Sequence, residues 1–596
     1  MFSVQATSFW AKLSLRLPWL AFSAALVAPS AVLVVLLPPL LFAPLAPRTA
    51  SAAGDRGVLG KNHAVSTDSP LATESAMAVL ARGGDAVDAA VAAVAMLGVV
   101  APAGSGIGGG GFALVWRAKE KKVTTFDFRE TAPAAFDAAA FEAREGASTE
   151  EKLASRGMLV GVPGEVMGLV TLHNRFGRLS LTDDLAYAAK AAKDGFPLGR
   201  YLAEVLRGDP FKIASHPSIG PLFFDASNAG ALRARGSILR RPALARTLDR
   251  LGAEGATAFY EGTVAAHMVA EARRFGSLIT LADFQSRSVI EREPLMRTFG
   301  TRAVYTMGSP SAGGLMLLEA LTLLGASPSA SGAKAGAGSS TYLHEIAEIM
   351  RGALADRLVA VGDPAVDAAA RERLDRMVDR KRLEARAAHR NPARAHAATE
   401  YAGRERGTSH VLVADDDGNI VSLTTTVNGP FGARIETEDG VLLNDELDDF
   451  TTRAEAKLFL GDAASPNRPR ALARPVSSMM PTLILEDGEP FFALGGSGGR
   501  RIATACTQVA LRALLFGDDA AEAVGAPRIH VGAGLELLLE KDISPDVQAA
   551  LRARGHEPKR DTMKAAVQAM RFTREGNERL IEAAADPRKY GQAAAQ

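Results

Sequence analysis

Residues 407–428 read GTSHVLVADDDGNIVSLTTTVN, and this stretch decides the fold. Two runs rich in β-branched residues, 411–413 and 420–427, lie on either side of Asp417-Gly418. A DG pair between two such runs is typical of a β-hairpin. The same pattern recurs around Asp487-Gly488. The spacing therefore predicts an antiparallel sheet in this part of the chain.

Helical patterns surround these hairpins. Upstream, residues 71–97 predict two short helices separated by Gly83-Gly84, with Asp85 placed to cap the second. Downstream, residues 500–516 and 545–554 predict two more helices. Helices before and around a set of antiparallel hairpins favour an α+β fold, in which helices are layered over sheets.

Two segments have weaker patterns. The Ala-, Ser- and Gly-rich stretch 326–340 predicts a loop or linker. Residues 379–406 are rich in Arg and Ala and poor in large apolar side chains. We expect a helix to end there and to pass into exposed, mobile chain.

The composition excludes several classes of protein. The chain has 596 residues, 47% apolar and 23% charged, with a net charge of +1, which predicts a globular protein and argues against a polybasic nucleic-acid binder. The lone Cys506 excludes an intramolecular disulfide and a multi-thiolate metal site. The stretch 344–348, HEIAE, lacks the second histidine of a zinc helix. We expect no metal, no cofactor and no nucleic-acid partner.

The N-terminus resembles a secretory signal peptide. Lys12 and Arg16 precede an uncharged stretch, 17–47, and the small residues 50–52 follow it. Prolines at 18, 29, 38, 39 and 44 interrupt the apolar stretch, which suits a removed leader better than a permanent membrane helix. We expect residues 1–52 to be this signal, or alternatively an uncleaved anchor that would be the chain's one contact with a membrane. Both predict a periplasmic or secreted protein.

A glycine run at 104–109, GSGIGG, fits the G-x-G-x-x-G pattern of dinucleotide-binding proteins. Such a site needs a strand before the run and a helix after it, so that the pyrophosphate meets a helix N-terminus. Here the order is reversed, because the preceding segment is helical and residues 112–116 predict a strand. The order argues against a dinucleotide site.

Seven motifs, taken in chain order, resemble the gamma-glutamyltransferase family, also called gamma-glutamyltranspeptidases. The resemblance spans about residues 55–591. It implies an N-terminal-nucleophile hydrolase with a four-layer αββα sandwich, made as one chain that cuts itself in two. The motifs are GSGIGGGGF (104–112), DFRE (127–130), GVPG (161–164), GTSH (407–410), LLNDELDDF (442–450), PVSSMMP (475–481) and DPR (586–588).

The resemblance implies a cut between Gly407 and Thr408. Residues 53–407 would become the large subunit and 408–596 the small subunit of a heterodimer. The Thr408 hydroxyl would be the nucleophile. A hydroxyl needs a base, and the freed α-amino group, with a pKa of about 7.7–8.0, can act as one at neutral pH.

Other roles follow from the same resemblance. Thr426 matches the threonine whose hydroxyl bonds to the nucleophile and orients it. Gly498 and Gly499 match the glycines whose N–H groups form an oxyanion hole. A γ-glutamyl group carries both a carboxylate and an ammonium, so its site needs donors and carboxylates. The positions that match the carboxylate clamp are Arg129, Ser477 and Ser478, and those that match the ammonium site are Asn428, Glu446 and Asp449. Two alternatives remain open: Arg129 as a structural ion pair with Glu130, and Ser477-Ser478 as a loop cap.

The chain departs from the family pattern in three places. Ala103-Gly104 replaces a His-Ser pair, which changes a wall of the site. The motif 496–499 reads Gly-Ser-Gly-Gly, where a proline commonly precedes the two glycines. Phe459 lies roughly where an aromatic residue of a lid loop often sits.

These expectations favour a gamma-glutamyltransferase and glutathione hydrolase, which passes the γ-glutamyl group to water or to an amino-acid or peptide acceptor. A relative that acts on poly-γ-glutamate, or an acylase of β-lactam side chains, is the alternative within the fold. A secreted binding protein that never matures is the alternative in another class. It predicts one uncut chain and no turnover.

Overall fold

Two seven-stranded antiparallel sheets form the centre of the structure, a computed structural model that describes residues 57–228, 230–326, 331–397, 407–461, 463–562 and 564–596. Sheet A has the spatial order Gln592–Ala595, Ala64–Thr67, Gly407–Ala414, Ile420–Asn428, Gly110–Arg117, Lys122–Asp127 and Ile290–Arg292. Sheet B has the order Val58–Gly60, Glu578–Ala584, Ala566–Glu575, Glu489–Ser497, Thr482–Glu486, Arg302–Thr306 and Leu295–Phe299.

Both predicted hairpins are confirmed. Gly407–Ala414 pairs with Ile420–Asn428 in sheet A, and Thr482–Glu486 pairs with Glu489–Ser497 in sheet B. The turn at Gly418 has a φ of 84°, which a glycine adopts at little cost.

Side chains alternate across the Gly407–Ala414 strand and connect it to two different cores. Val411 and Val413 belong to the cluster formed with the helices on one side of sheet A. Leu412 and Ala414 belong to a cluster that also contains apolar residues of sheet B. Residues 411–414 are all apolar because both faces of this part of the strand are buried.

Helices pack on each sheet away from the shared cluster. Those packed with sheet A include Pro70–Ala81, Ala86–Val100, Glu165–Phe176, Leu181–Asp194, Pro242–Glu254 and Gly262–Arg274. Those packed with sheet B include Gly313–Ala326, Ser340–Ala360, Arg501–Leu511, Ala520–Gly525 and Pro545–Ala553. Shorter helices are Ala138–Ala143, Thr149–Ala154, Arg200–Val205, Gly220–Phe223, Thr257–Tyr260, Leu281–Gln285, Ser331–Lys334, Ala370–Met377, Arg380–Ala388 and Arg453–Leu460.

Smaller sheets complete the fold. Their strands are Ile529–Val531, Glu536–Leu539 and Glu557–Arg560 in one sheet, Phe196–Pro197 and Ile238–Leu239 in a second, and Phe224–Asp225 and Ala231–Leu232 in a third.

The predicted cap at Asp85 is confirmed. Its carboxylate accepts hydrogen bonds from the Val87 and Asp88 amides, and Asp88 bonds back to the Asp85 amide. This reciprocal capping box fixes the start of Ala86–Val100, which packs against both strands of the sheet A hairpin.

Of two further sequence-based expectations, the linker is wrong in part and the helix end is confirmed. Ser331–Lys334 is helical within the predicted linker 326–340, and the next helix begins at Ser340. Within 379–406, the helix Arg380–Ala388 ends as expected, with Leu383 and Ala387 on its buried edge, and most of residues 389–397 are exposed. Residues 398–406, the end of that segment, lie outside the described residues.

The expected signal peptide, residues 1–52, also lies outside the described residues. Within the part of the chain that the structure describes, no helix is long and apolar enough to cross a bilayer.

A mostly buried histidine, His173, joins three of the helices on sheet A. His173 Nδ1 lies 2.9 Å from Asp184 Oδ2 and 3.7 Å from Asp88 Oδ1. The hydrogen bonds to Asp184 and Asp88 raise the pKa of His173 to about 9. The side chain is only 12% exposed, so solvent weakens these contacts little.

We expect this contact to make stability depend on pH. Because the folded-state pKa of His173 lies above the unfolded value of about 6.5, its contribution is fully present below about pH 6.5 and is lost as pH rises through about 9. Burial raises the pKa of Asp184 to about 7, whereas hydrogen bonds lower that of Asp88, so Asp88 is the carboxylate that stays charged at the acid end of this range. The size of the His173 contribution is of the order of 2 kcal/mol. Urea unfolding of the wild type and of His173→Gln should show a stability difference that shrinks between about pH 6 and about pH 9.5. A difference that stays constant or grows over that range would contradict the charged contact.

Candidate active site

The Gly407–Thr408 peptide bond lies at the beginning of a central strand of sheet A. The pairing register shifts between Gly407 and Ser409, so that Thr426 and Val427 both lie opposite Thr408. A bulge of this kind bends the ladder and redirects a side chain. Thr408 is 5% exposed, yet it lines a cavity.

Two hydroxyl groups donate hydrogen bonds to the same acceptor, the carbonyl oxygen of Gly407. Thr408 Oγ1 donates to it at 2.6 Å and Thr426 Oγ1 at 2.7 Å. The Asn428 amide donates to Thr426 Oγ1 at 2.8 Å, which leaves the Thr426 proton free to point at the carbonyl. We expected Thr426 to bond to the Thr408 hydroxyl. In this uncut chain the two hydroxyls instead share one acceptor.

The glycine run packs against this peptide bond. A Cβ atom added at Gly104 would lie 3.2 Å from both the nitrogen and the oxygen of Thr408, tighter than ordinary contact. The Ala103-Gly104 pair, where the chain departs from the family pattern, therefore lies directly beside the Gly407–Thr408 peptide bond. The run follows Ala86–Val100 and leads into Gly110–Arg117, so the helix-then-strand order that argued against a dinucleotide site is confirmed.

Gly498 and Gly499 follow the last residue of the Glu489–Ser497 strand and precede the helix that begins at Arg501. Their φ angles are 126° and 62°, values that L side chains rarely adopt. A Cβ atom at Gly498 would also lie 2.6 Å from Ala565 Cα. Gly499 lines the same cavity as Thr408. The loop is thus fixed by backbone packing even though a proline is missing.

We expect Gly498→Ala to lower kcat about 100-fold, because the loop must move to relieve the Ala565 contact and its N–H groups would leave their positions. Gly488→Ala is the matched control. Gly488 has a φ of 81° but nothing within 4 Å of an added Cβ, so only stability should fall, by about 1 kcal/mol. Steady-state kinetics and urea unfolding of both variants test this. Equal losses of kcat would contradict a special role for Gly498.

Thr408 shares its cavity with every residue expected to bind substrate. Arg129 and Arg500 are among the charged residues of its wall. The structure thus brings together residues that are far apart in sequence, although the roles expected for them stay predictions. The lining residues are Arg129, Arg357, Thr408, Thr426, Asn428, Glu446, Asp449, Ser477, Ser478, Met479, Gly499, Arg500 and Ile502.

Arg129 is the centre of the polar end of this cavity. It is 1% exposed and forms ion pairs with Glu446 and, at 2.7 Å, with Asp449. Its Nε donates to the Pro475 carbonyl at 2.5 Å. Burial raises the pKa of Glu446, and the Arg129 guanidinium opposes that shift. The family resemblance assigns Arg129 to the carboxylate of the substrate, and Glu446 and Asp449 to its ammonium. In this structure these three side chains contact one another.

The two serines of the PVSSMMP motif make different contacts. Ser477 Oγ accepts from the Met479 amide at 3.1 Å, as a loop cap would. Ser478 Oγ accepts a hydrogen bond from Arg357, on helix Ser340–Ala360. Sequence reasoning missed Arg357, because a basic residue in a helix carries no local sign of a site.

A lysine was missed in the same way. Lys589 follows the DPR motif, and its Nζ donates to the Thr408 carbonyl at 3.0 Å. It is 3% exposed. A lysine is almost never this buried unless it is paired. Its burial could have marked Lys589 as a residue of the site, but only once the fold was known.

Phe459 belongs to the helix Arg453–Leu460. Its side chain lies outside the described residues, so its expected lid role stays a prediction.

Two groups of side chains elsewhere are close enough to share a metal ion: His344, Glu348 and His556, and Asp88, His173 and Asp184. His344 Nε2 lies 3.0 Å from the Asn391 carbonyl, and its Nδ1 lies 2.8 Å from His556 Nε2. Arg351 donates to the remaining nitrogen of His556. Protein partners therefore already occupy the ring nitrogens of the first group, and our expectation that the protein needs no metal stays a prediction.

Here a hydroxyl residue lies at the start of a central strand in one of two antiparallel sheets, and its hydroxyl is hydrogen-bonded to the carbonyl of the preceding residue. This arrangement is typical of N-terminal-nucleophile hydrolases. In such enzymes the attacking residue also supplies its own base.

The comparisons with known proteins agree. The sequence matches the family model described as gamma-glutamyltranspeptidase over residues 72–596. Glutathione hydrolase 2 of Arabidopsis thaliana is 35% identical, over 80% of this chain and 81% of the relative. The glutathione hydrolase proenzyme of Escherichia coli (strain K12) is 31% identical, over 89% of this chain and 91% of the relative. The chain belongs to the gamma-glutamyltranspeptidase family.

A solved structure gives the same fold. The crystal structure of cephalosporin acylase from Bacillus halodurans matches with a TM-score of 0.79, covering 93% of this chain and 99% of that chain. The two sequences are 23% identical, so the likeness establishes the fold alone.

Proposed function

We propose that this chain is the precursor of a gamma-glutamyltransferase that also hydrolyses glutathione. The observation that carries the proposal is the pair of threonine hydroxyls on the Gly407 carbonyl oxygen, at the wall of a cavity that also holds Arg129 and its two carboxylates. The threonine hydroxyls can cut the chain, and Arg129 with its two carboxylates can bind the charged groups of an amino acid.

The first reaction is the cut. Thr408 Oγ1 attacks the Gly407 carbonyl carbon, and the Thr426 hydroxyl stabilises the charge that develops on the oxygen. The C–N bond breaks, the Thr408 nitrogen takes the proton, and Gly407 is left as an ester on Thr408. Water then hydrolyses the ester. The products are a Gly407 carboxylate and a Thr408 with a free α-amine.

The second reaction is the transfer. The α-amine takes the hydroxyl proton as Thr408 attacks the γ-carbonyl carbon of the substrate, and it returns that proton to the leaving amine. The N–H groups of Gly498 and Gly499 hold the oxyanion. The γ-glutamyl ester is then resolved by water or by an amino-acid or peptide amine. Ping-pong kinetics follow from the covalent intermediate.

The α-carboxylate and α-ammonium of the γ-glutamyl group bind at the polar end of the cavity. Arg129 offers a planar fork of donors, which suits a carboxylate. Substrate then shares Arg129 with the carboxylates that already contact it. We assign Arg129, Ser477 and Ser478 to the carboxylate, and Asn428, Glu446 and Asp449 to the ammonium.

Several properties of the whole chain belong to the same proposal. The two sheets and their helices stack as a four-layer αββα sandwich. Residues 1–52 are a signal that directs the protein to the periplasm or outside the cell. Residues 53–407 and 408–596 stay together as the large and small subunits of a heterodimer.

Longer γ-glutamyl chains and β-lactam side chains are the alternative substrates. The intact Arg129 and Asp449 contacts favour a substrate with an amino-acid head group over a β-lactam acyl group, but they do not separate glutathione from a polymer. Purified enzyme should release p-nitroaniline from γ-glutamyl-p-nitroanilide and cleave glutathione, and it should cleave poly-γ-glutamate and a cephalosporin more slowly. Faster turnover of polymer or cephalosporin would favour an alternative. An uncut, inactive chain would favour the binding protein.

A further inference from the structure

Lys589 is buried directly beside the residue that we propose as nucleophile. Its Nζ donates to the Thr408 carbonyl at 3.0 Å and to Ser497 Oγ at 2.7 Å. Asp68 Oδ2 lies 3.8 Å from the same nitrogen, and the Tyr201 ring centre lies 5.3 Å from it. All three polar partners come from parts of the chain more than 90 residues away.

The DPR motif holds this lysine in place. Asp586 caps the short helix Pro587–Lys589 by accepting from the Arg588 amide. Its other oxygen accepts from Arg528 at 2.7 Å and from the Val567 amide at 2.9 Å. The motif therefore fastens Lys589 to sheet B, while its side chain reaches Thr408 in sheet A.

We infer that Lys589 is a positioning residue, which aligns Thr408 with the oxyanion loop and keeps the Thr408 α-amine in its neutral, basic form. The inference rests on the proposed function, because the α-amine exists only after the cut. No role follows for Lys589 from the motifs that resemble the family, which end at Arg588.

The alignment follows from the two hydrogen bonds. Ser497 is the residue before Gly498, so one ammonium group contacts both the nucleophile's own carbonyl and the start of the oxyanion loop. A cation that bonds to both fixes the distance between attacking and stabilising groups. Misplacement of such groups by as little as about 1 Å can cost about 100-fold in rate.

The effect on the amine follows from charge. The carbonyl and the α-amine belong to the same residue, so the Lys589 ammonium lies within a few ångströms of the amine. A like charge at this range disfavours protonation. Asp68 opposes the effect, because its carboxylate faces the same lysine. The cavity that Thr408 lines has its own charged groups, Arg129, Arg357, Arg500, Glu446 and Asp449, and Arg129 forms ion pairs with both carboxylates.

Two charge-removing variants give shifts of opposite sign. Lys589→Met removes the cation at similar length, and Asp68→Asn removes the opposing anion at the same size. The acid limb of kcat/KM reports the essential base of the free enzyme. For γ-glutamyl-p-nitroanilide, measured on the cut form of each variant, we expect this limb to move up by about one pH unit in Lys589→Met and down in Asp68→Asn. Lys589→Arg, which keeps the charge, should leave the limb near its wild-type position.

The outcomes separate the inference from the proposed function. The charge role is overturned if the wild type is active and the acid limbs of both variants lie where the wild-type limb lies. It is also overturned if Lys589→Met loses the same fraction of activity at every pH. If Lys589→Met stays uncut, Asp68→Asn decides alone, and an unmoved or raised limb overturns the inference. A wild type that is cut but does not turn over the anilide overturns the proposed function instead.

Discussion

Thr408→Ala should leave the chain in one piece and without measurable turnover. Alanine has no hydroxyl to attack the Gly407 carbonyl, and no α-amine is then released to act as base. A denaturing gel of wild type should show two fragments, one beginning with the sequence Thr-Ser-His-Val, whereas the variant should show only the full chain. N-terminal sequencing identifies the cut.

Thr408→Ser is the matched control. It keeps the hydroxyl and lacks only a methyl group, so we expect it to be cut and to retain part of the activity. Two fragments from Thr408→Ala, or active wild-type enzyme with an intact bond between residues 407 and 408, would overturn the mechanism.

Arg129→Met should lose both stability and substrate binding. Glu446 is 1% exposed and would lose the cation that stabilises its charged form, so it must either stay charged without a partner or take up a proton; breaking such a buried pair typically costs about 3–5 kcal/mol. Loss of a charged donor to the α-carboxylate should raise KM about 10- to 100-fold. Arg175→Met is the control: Arg175 pairs with Glu291 at the surface, with both side chains more than 40% exposed, and such pairs contribute about 0–1 kcal/mol.

A double variant separates the two effects. Arg129→Met with Glu446→Gln removes both buried charges and should recover much of the free energy of unfolding without restoring KM. Urea unfolding and γ-glutamyl-p-nitroanilide kinetics measure the two quantities. An unchanged KM in the single variant would remove Arg129 from the substrate site.

Local patterns were enough to predict the elements that surround the nucleophile. The DG turns, the Asp85 cap and the apolar run 411–413 all act over a few residues, and the hairpins and the helix start that they predict are confirmed. The helix Arg380–Ala388 ends within the segment where the composition predicted a helix end, but its buried residues, Leu383 and Ala387, could not be identified because their burial depends on tertiary packing.

For the candidate site too, one part could be predicted from the sequence and another part could not. The matching motifs indicated which residues would gather around Thr408, and the structure does place them on one cavity. Which atoms contact each other could not be predicted. Arg129 meets Glu446 across 317 positions, and Lys589 meets Thr408 across 181, so their contacts depend on the closed fold.

The order of strands has a consequence for the cut molecule. In sheet A, the Gly407–Ala414 strand lies between Ala64–Thr67 and Ile420–Asn428, and sheet B likewise combines strands from both sides of residue 407. Neither fragment alone would contain a complete sheet. Refolding after denaturation should therefore be unimolecular for the precursor but second order in concentration for the nicked pair, and dilution alone should not separate the fragments.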